Sequence, residues 1–229
     1  MKRFYLIVFL LFINLCFAQD RGETEVDSLY KEDHFYAGIT YNLLGDRPTS
    51  VRQSGFSLGF HLGFIRDLPI NDRRNWAIGI GLGYSANTFN QNLLVNKDNT
   101  ATFDYSIIGN RDTFTKNKFT SHFVELPIEI RWRTSTPTEY NFWRIYTGFK
   151  LGYGFLYTVR HKGDLGDFKY NDNSDFNNLQ YGLTLSAGYN TWNLHLYYAL
   201  NPIFNKDAQL NGSNINMNAI KIGLMFYIL

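Results

Sequence analysis

Apolar and polar residues alternate along most of the chain. That is the period of a β-strand whose two faces meet different surroundings. In the stretch GFSLGFHLGF, Phe56, Leu58, Phe60, Leu62 and Phe64 share one face, and Gly55, Ser57, Gly59, His61 and Gly63 share the other. In SHFVELPIEIRWR one face carries Val124, Leu126, Ile128, Ile130 and Trp132, and the other Glu125, Pro127, Glu129, Arg131 and Arg133. In AIKIGLMFYIL, Ile220, Ile222, Leu224, Phe226 and Ile228 alternate with Lys221, Gly223, Met225 and Tyr227. The pattern predicts eight strands, over residues 34–43, 55–66, 75–89, 120–133, 142–160, 178–189, 191–200 and 218–229. No segment sustains a 3.6-residue period, so little helix is expected.

The connections alternate in length. DLPINDRRN, TSTPTEYN and the turn at Asn190 are short, whereas the link from Asn90 to Phe119 and the other odd-numbered links are long. Short periplasmic turns at one end and long extracellular loops at the other characterise transmembrane β-barrels. All four tryptophans, Trp76, Trp132, Trp143 and Trp192, lie beside the short turns on the apolar face. They predict a periplasmic aromatic girdle. Tyr41, Phe89, Tyr157 and Tyr198 are the candidates for the outer girdle. A soluble β-fold would have to pack the Phe and Leu of every strand into one core and leave nearly bare glycine outside. The predicted fold is therefore all-β: an eight-stranded antiparallel up-and-down transmembrane β-barrel.

The ends and the composition place it. Lys2 and Arg3 precede an apolar run from Phe4 to Phe17, and Cys16-Phe17-Ala18 closes the segment. This is a secretory leader, with cleavage expected between Ala18 and Gln19. The domain reading is residues 1–18 signal peptide, 19–33 flexible periplasmic segment and 34–229 barrel, located in the outer membrane. Cys16 is the single cysteine, so the mature chain can form neither disulfides nor thiolate metal sites. With Lys2 and Arg3 removed from the 22 basic residues, the 20 acidic ones balance the rest and the net charge is zero. A nucleic-acid partner would need a basic footprint. Aromatic residues are 17% of the chain and charged ones only 18%, which suits a wall facing lipid.

The chain resembles the PorT family of outer-membrane β-barrel proteins. The resemblance is carried by FVELPIEIRWR, FWRIYTGFKLGYG, the hairpin LQYGLTLSAGYNTWNLHLYYALNPIF and the closing strand IKIGLMFYIL, which ends on Leu229 where Phe is usual. It implies an eight-stranded barrel in a Gram-negative envelope. Through the family's founding member, the resemblance also points toward type IX secretion.

Candidate chemistry starts with the inward charges His61, Glu125, Glu129, Arg131, Arg144, Lys150, His195 and Lys221. Facing Arg133 to Phe142 across the short turn sets Glu125 opposite Lys150 and Glu129 diagonal to Arg144. Ionised groups in a narrow interior must be paired, so a salt-bridged plug is expected rather than an ion path. In WAIGIGLGYS, Gly79, Gly81 and Gly83 recur at every second position. Tyr84 stands where a dinucleotide-binding G-x-G-x-x-G needs its last glycine, and no helix pattern follows. These glycines are expected to look inward and make room for long Arg, Lys and Glu side chains.

Asp164, Asp167, Asp172 and Asp175 offer hard oxygen ligands, but at spacings that match no EF-hand. His122, His161 and Ser174 are the residues a lipid-modifying enzyme would use, and no G-x-S-x-G motif accompanies them. No catalytic, cofactor or metal site is assigned. Outer-membrane lipid is the expected partner. Phe103, Tyr105, Phe114, Phe168 and Tyr170 in the loops, and the segment after the leader, are candidate docking surfaces for another envelope protein. The reading is a closed structural or accessory subunit, with a lipid-modifying enzyme or narrow solute channel as alternatives.

Overall fold

The computed structural model describes residues 34–97, 102–134, 142–171 and 173–228. The leader with its Ala18–Gln19 junction, the 19–33 segment, most of the TSTPTEYN turn and Asp172 lie outside them. The strands are β1 (His34–Gly45), β2 (Leu58–Pro69), β3 (Trp76–Asn90), β4 (Leu93–Lys97), β5 (Phe103–Ile107), β6 (Phe114–Arg133), β7 (Trp143–Gly163), β8 (Gly166–Asn171), β9 (Leu179–Tyr189), β10 (Trp192–Ala199), β11 (Gln209–Leu210), β12 (Ser213–Asn214) and β13 (Asn218–Ile228).

Eight of them, β1, β2, β3, β6, β7, β9, β10 and β13, form a closed antiparallel ring. Closure comes from β1 pairing with β13 and from β6 pairing with both β3 and β7. A closed ring leaves no unpaired strand edge in the hydrocarbon, where water cannot satisfy it. The eight barrel strands are the eight alternating runs. The long connections carry short strands of their own. β4 and β5 form a hairpin, β11 and β12 another, and β8 extends the sheet from β7.

Alternation sorts the two faces. Leu62, Ile80, Ile128, Leu185, Leu194 and Leu224 are exposed on the outer wall, while His61, Glu129, Arg131, Ser186 and His195 are buried inside. Trp143 and Trp192 are 60% and 63% exposed, Trp76 is exposed and Trp132 half-exposed. All four lie at the short-turn end, and Trp76 faces Trp132 across β3 and β6. At that end Asn190 takes φ 54°, a left-handed turn conformation that asparagine tolerates.

The outer girdle is only half as expected. Tyr41 and Tyr198 face outward, but Phe89 and Tyr157 are buried inside. Phe89 has the parity of Gly79, Gly81 and Gly83, so strict alternation turns it inward. Tyr157 is turned by a bulge. The β6–β7 register shifts between His122, which faces Leu156, and Phe123, which faces Gly154. The extra residue, Phe155, inverts the faces of β7 beyond it, which is what a β-bulge does. Even-numbered residues point inward up to Gly154, and odd-numbered Tyr157, Val159 and His161 point inward afterwards.

Pro127 sits in the middle of β6 and has no N–H to give. The β3–β6 ladder accordingly runs to Ile80 with Ile128 and resumes at Gly83 with Glu125. The glycines of β3 also show why they are glycines. A Cβ at Gly79 would lie 2.6 Å from Cδ of Arg131, one at Gly81 2.6 Å from the Ile65 side chain, and one at Gly83 would strike the Tyr36 hydroxyl. The expected accommodation of long charged chains therefore holds at Gly79. Gly63, Gly83, Gly154 and Gly182 instead make room for the rings of Tyr36, Tyr157 and Tyr197.

Candidate functional site

The interior has three tiers. The first lies near the short turns. Asp67, from the end of β2, is fully buried and paired with both Arg131 and Arg133 of β6. The Arg131 guanidinium lies 3.8 Å from the centre of the Tyr146 ring and 5.3 Å from that of Tyr227. Its Nη1 is 3.3 Å from His34 Nδ1. Arg144 stacks on buried Phe142 at 4.4 Å. A guanidinium is weakly hydrated and can satisfy a carboxylate and an aromatic face together. This tier fills the turn end of the lumen.

The middle tier is built on Glu125. Its Oε2 lies 3.0 Å from Lys150 Nζ and 3.8 Å from His61 Nδ1, and its Oε1 lies 4.0 Å from Lys221 Nζ. Ser85 donates to Oε1 at 2.7 Å, and Asn87 donates to Ser85 at 2.9 Å. His61 Nε2 contacts Thr40 Oγ1 at 3.1 Å, and His195 contacts Ser186 at 2.7 Å. These polar chains spring from inward positions of all eight barrel strands, with Ser85 and Asn87 sharing β3, so closing the ring is what brings them together.

The expected register is off by two residues. Arg133 faces Arg144, Glu125 faces Gly152, and Lys150 faces Pro127. Lys150 still reaches Glu125 diagonally. Glu129 is not joined to Arg144; its nearest cation is Arg131, at 3.7 Å from Nε. All eight expected interior residues are buried. The structure adds Asp67, Arg133, Tyr36, Tyr146 and Tyr227 to the expected interior set. Asp67 opens the short DLPINDRRN link in the sequence, yet it lies in β2 and keeps the inward parity of His61 and Ile65.

The third tier is apolar. Phe89, Phe119, Phe123, Tyr157 and Val159 from the strands pack with Leu93, Val95 and Tyr105 of the β4–β5 hairpin, and with Phe176, Ile203, Phe204 and Met217 of the later loops. Tyr157 stacks on Phe176 at 4.5 Å, and Phe119 on Phe89 at 5.0 Å. Burial of each such side chain contributes roughly 1.5–3 kcal/mol. Tyr105, expected as an exposed docking residue, is buried here. It donates to Asp175 at 2.8 Å, and burial raises its phenol pKa. Phe168 stacks on His161 and Tyr170, and Phe103 meets Tyr170 edge to face. The loop aromatics thus cap the barrel. Between this cap and the Glu125 tier lies a cavity of about 20 Å³, room for about one water.

The other candidates are dispersed. Asp164 accepts from the Thr113 amide and hydroxyl, Asp167 pairs with Lys162, and Asp175 belongs to the cap. Among the described residues no three metal-ligating side chains converge. His161 is buried within β7 against Asn117 rather than in a loop, His122 bonds Tyr84 at 2.7 Å on the outer wall, and Ser174 donates to Asp175.

Among solved structures, the chain is similar to Ail, the attachment invasion locus protein of Yersinia pestis. Against Ail in complex with the heparin analogue sucrose octasulfate, identity is 10%, coverage 86% of this chain and 99% of Ail, and TM-score 0.32. Against a second Ail structure the values are 12%, 86%, 99% and 0.30. No curated protein matches the chain. The family model described as outer membrane protein beta-barrel domain matches residues 17–205. With its ring of eight antiparallel strands, lipid-compatible wall and charged interior, the chain belongs to that outer-membrane β-barrel family.

Proposed function

We propose that this outer-membrane barrel is a closed structural or accessory subunit of an envelope complex, in the PorT branch of the family, rather than a pore or an enzyme. The carrying observation is the filled interior. The Asp67–arginine tier, the Glu125 tier and the apolar cap succeed one another along the lumen, and the cavity between the last two holds about one water. An eight-stranded barrel is just wide enough for side chains to fill. What such a barrel offers its surroundings is its wall and its folded loop end. A type IX-like secretion complex is the assembly that the PorT motifs suggest.

Two measurements test the proposal. Purified protein in planar bilayers should leave conductance at background; discrete channels would overturn the closed reading. A tagged copy drawn from outer membranes in gentle detergent should bring a stoichiometric envelope protein with it, and recovery of a lone monomer would overturn the accessory role. Export by a cleaved leader is part of the same proposal. Intact mass should place Gln19 first in the mature protein.

A further inference from the structure

A groove of about 530 Å³ opens on the outside of the barrel, between the link preceding β2 and the projecting start of β6. One wall is apolar. Phe56 is 82% exposed, and Leu58 and Phe60 continue it into the lipid-facing surface of β2. The other wall is basic, formed by Lys116 and Lys118. Asn90 joins the two: it faces Lys118 across the ladder and donates its side-chain amide to the Phe56 carbonyl.

The basic wall continues around the barrel. Lys118 faces Arg160, Arg160 faces Lys169, and Lys116 faces Lys162. Like charges directly opposite in a sheet destabilise it. Lys162 lies 4.0 Å from Asp167. Among the described residues, no acidic side chain is paired with Lys116, Lys118, Arg160 or Lys169. The row therefore calls for an anion from outside. It lies beyond Val124 on β6, where outward residues change from Val124 through His122 and Thr120 to Lys118. That is the level of lipid headgroups.

We propose that this groove binds a phosphate-bearing glycolipid of the adjoining leaflet. Acyl chains would lie along Phe56, Leu58 and Phe60, and phosphates would sit against Lys116 and Lys118, with Arg160 and Lys169 extending the anion site. Charge complementarity and continuity with the lipid-facing wall favour an amphiphile over a soluble polyanion or an acidic protein.

Native mass spectrometry of the detergent-purified barrel tests this with two probes, bisphosphorylated lipid A and its fully dephosphorylated form. The wild type should retain the phosphorylated lipid about tenfold more strongly, and a Lys116→Gln/Lys118→Gln variant should lose most of that preference. Phe56→Ser should weaken retention of both lipids. All these residues are at least partly exposed, and heat-modifiable migration on gels verifies folding. Arg160→Gln/Lys169→Gln supplies an independent pair should the first misfold. Equal retention of both lipids by the wild type, or an unchanged preference in the folded variants, would overturn the proposal. So would displacement of the lipid by an equal concentration of inorganic diphosphate, which would mark a free-anion site.

Discussion

Glu125 meets Lys150 at 3.0 Å although neither faces the other across the sheet. Glu125 faces Gly152, and Lys150 faces Pro127. The contact is diagonal across the β6–β7 ladder. Lys150→Ala removes the closest cation from a buried carboxylate. It should destabilise the barrel by about 3 kcal/mol, read as a shift in urea unfolding in lipid vesicles. Bilayer conductance should stay at background, because the tiers on either side remain. A Glu125→Gln/Lys150→Met pair should recover much of the loss, since it removes both charges together.

Asp67 holds two arginines at the turn end. Asp67→Asn keeps the shape and removes the charge. The expected cost is about 3–5 kcal/mol, with a smaller cost for Asp67→Glu. Equal unfolding midpoints for the wild type and Asp67→Asn would show that the fork contributes nothing.

The thin wall of β3 makes an asymmetric prediction. Gly81→Phe drives a ring into Ile65 and the Phe64 carbonyl and should prevent or strongly weaken folding. Ile80→Phe, one residue away and exposed to lipid, should be tolerated. Gly83→Ala should be poorly tolerated beside Tyr36 and partly rescued by Tyr36→Leu, measured as a double-mutant cycle.

The cap can be loosened separately from the wall. Phe119 and Phe204 pack edge to face at 5.7 Å, fully within the apolar cluster. Phe204→Ala should cost about 3–5 kcal/mol of cap stability. Amide exchange should rise in β4, β5 and the later loops while the β1, β2 and β13 ladders stay protected.

One loop contact should respond to acid. Hydrogen bonds from the Thr113 amide and hydroxyl hold the Asp164 carboxyl below its ordinary pKa. A depressed carboxylate pKa stabilises the folded loop above the unfolded value of about 3.9. That contribution fades as pH falls through the lower folded value. The Thr113 amide resonance should titrate over that acid range, and Asp164→Asn should abolish the titration.

The strands and their faces were legible because lipid and lumen impose a period of two. Trp76 and Trp143 announced the turn end in the same way. The interior was legible as a set of residues but not as a set of pairs. Nothing local fixes the offset that sets Arg133 opposite Arg144 rather than Phe142. Tyr157 turns inward because Phe155 adds one residue to β7, and an inserted residue leaves no mark in composition. His161 lies in β7 because the strand runs on to Gly163, past the end of its clear alternation. The cap was hidden for a different reason. Leu93, Val95, Ile203 and Met217 lie in short segments that gain meaning only when four loops meet over one barrel mouth.

That meeting means the two ends of the molecule depend on opposite solvents. The wall around Ile80 and Leu194 is stable because hydrocarbon surrounds it. The cluster around Phe119 and Phe204 is stable because water does, as in any globular protein. Moving the barrel from a bilayer into a poor detergent should therefore loosen the wall first and leave the cap folded. Mild denaturant added to vesicles should do the reverse. The protein carries a small water-driven core on a lipid-driven pedestal, and its loop end is held in shape independently of the membrane beneath it.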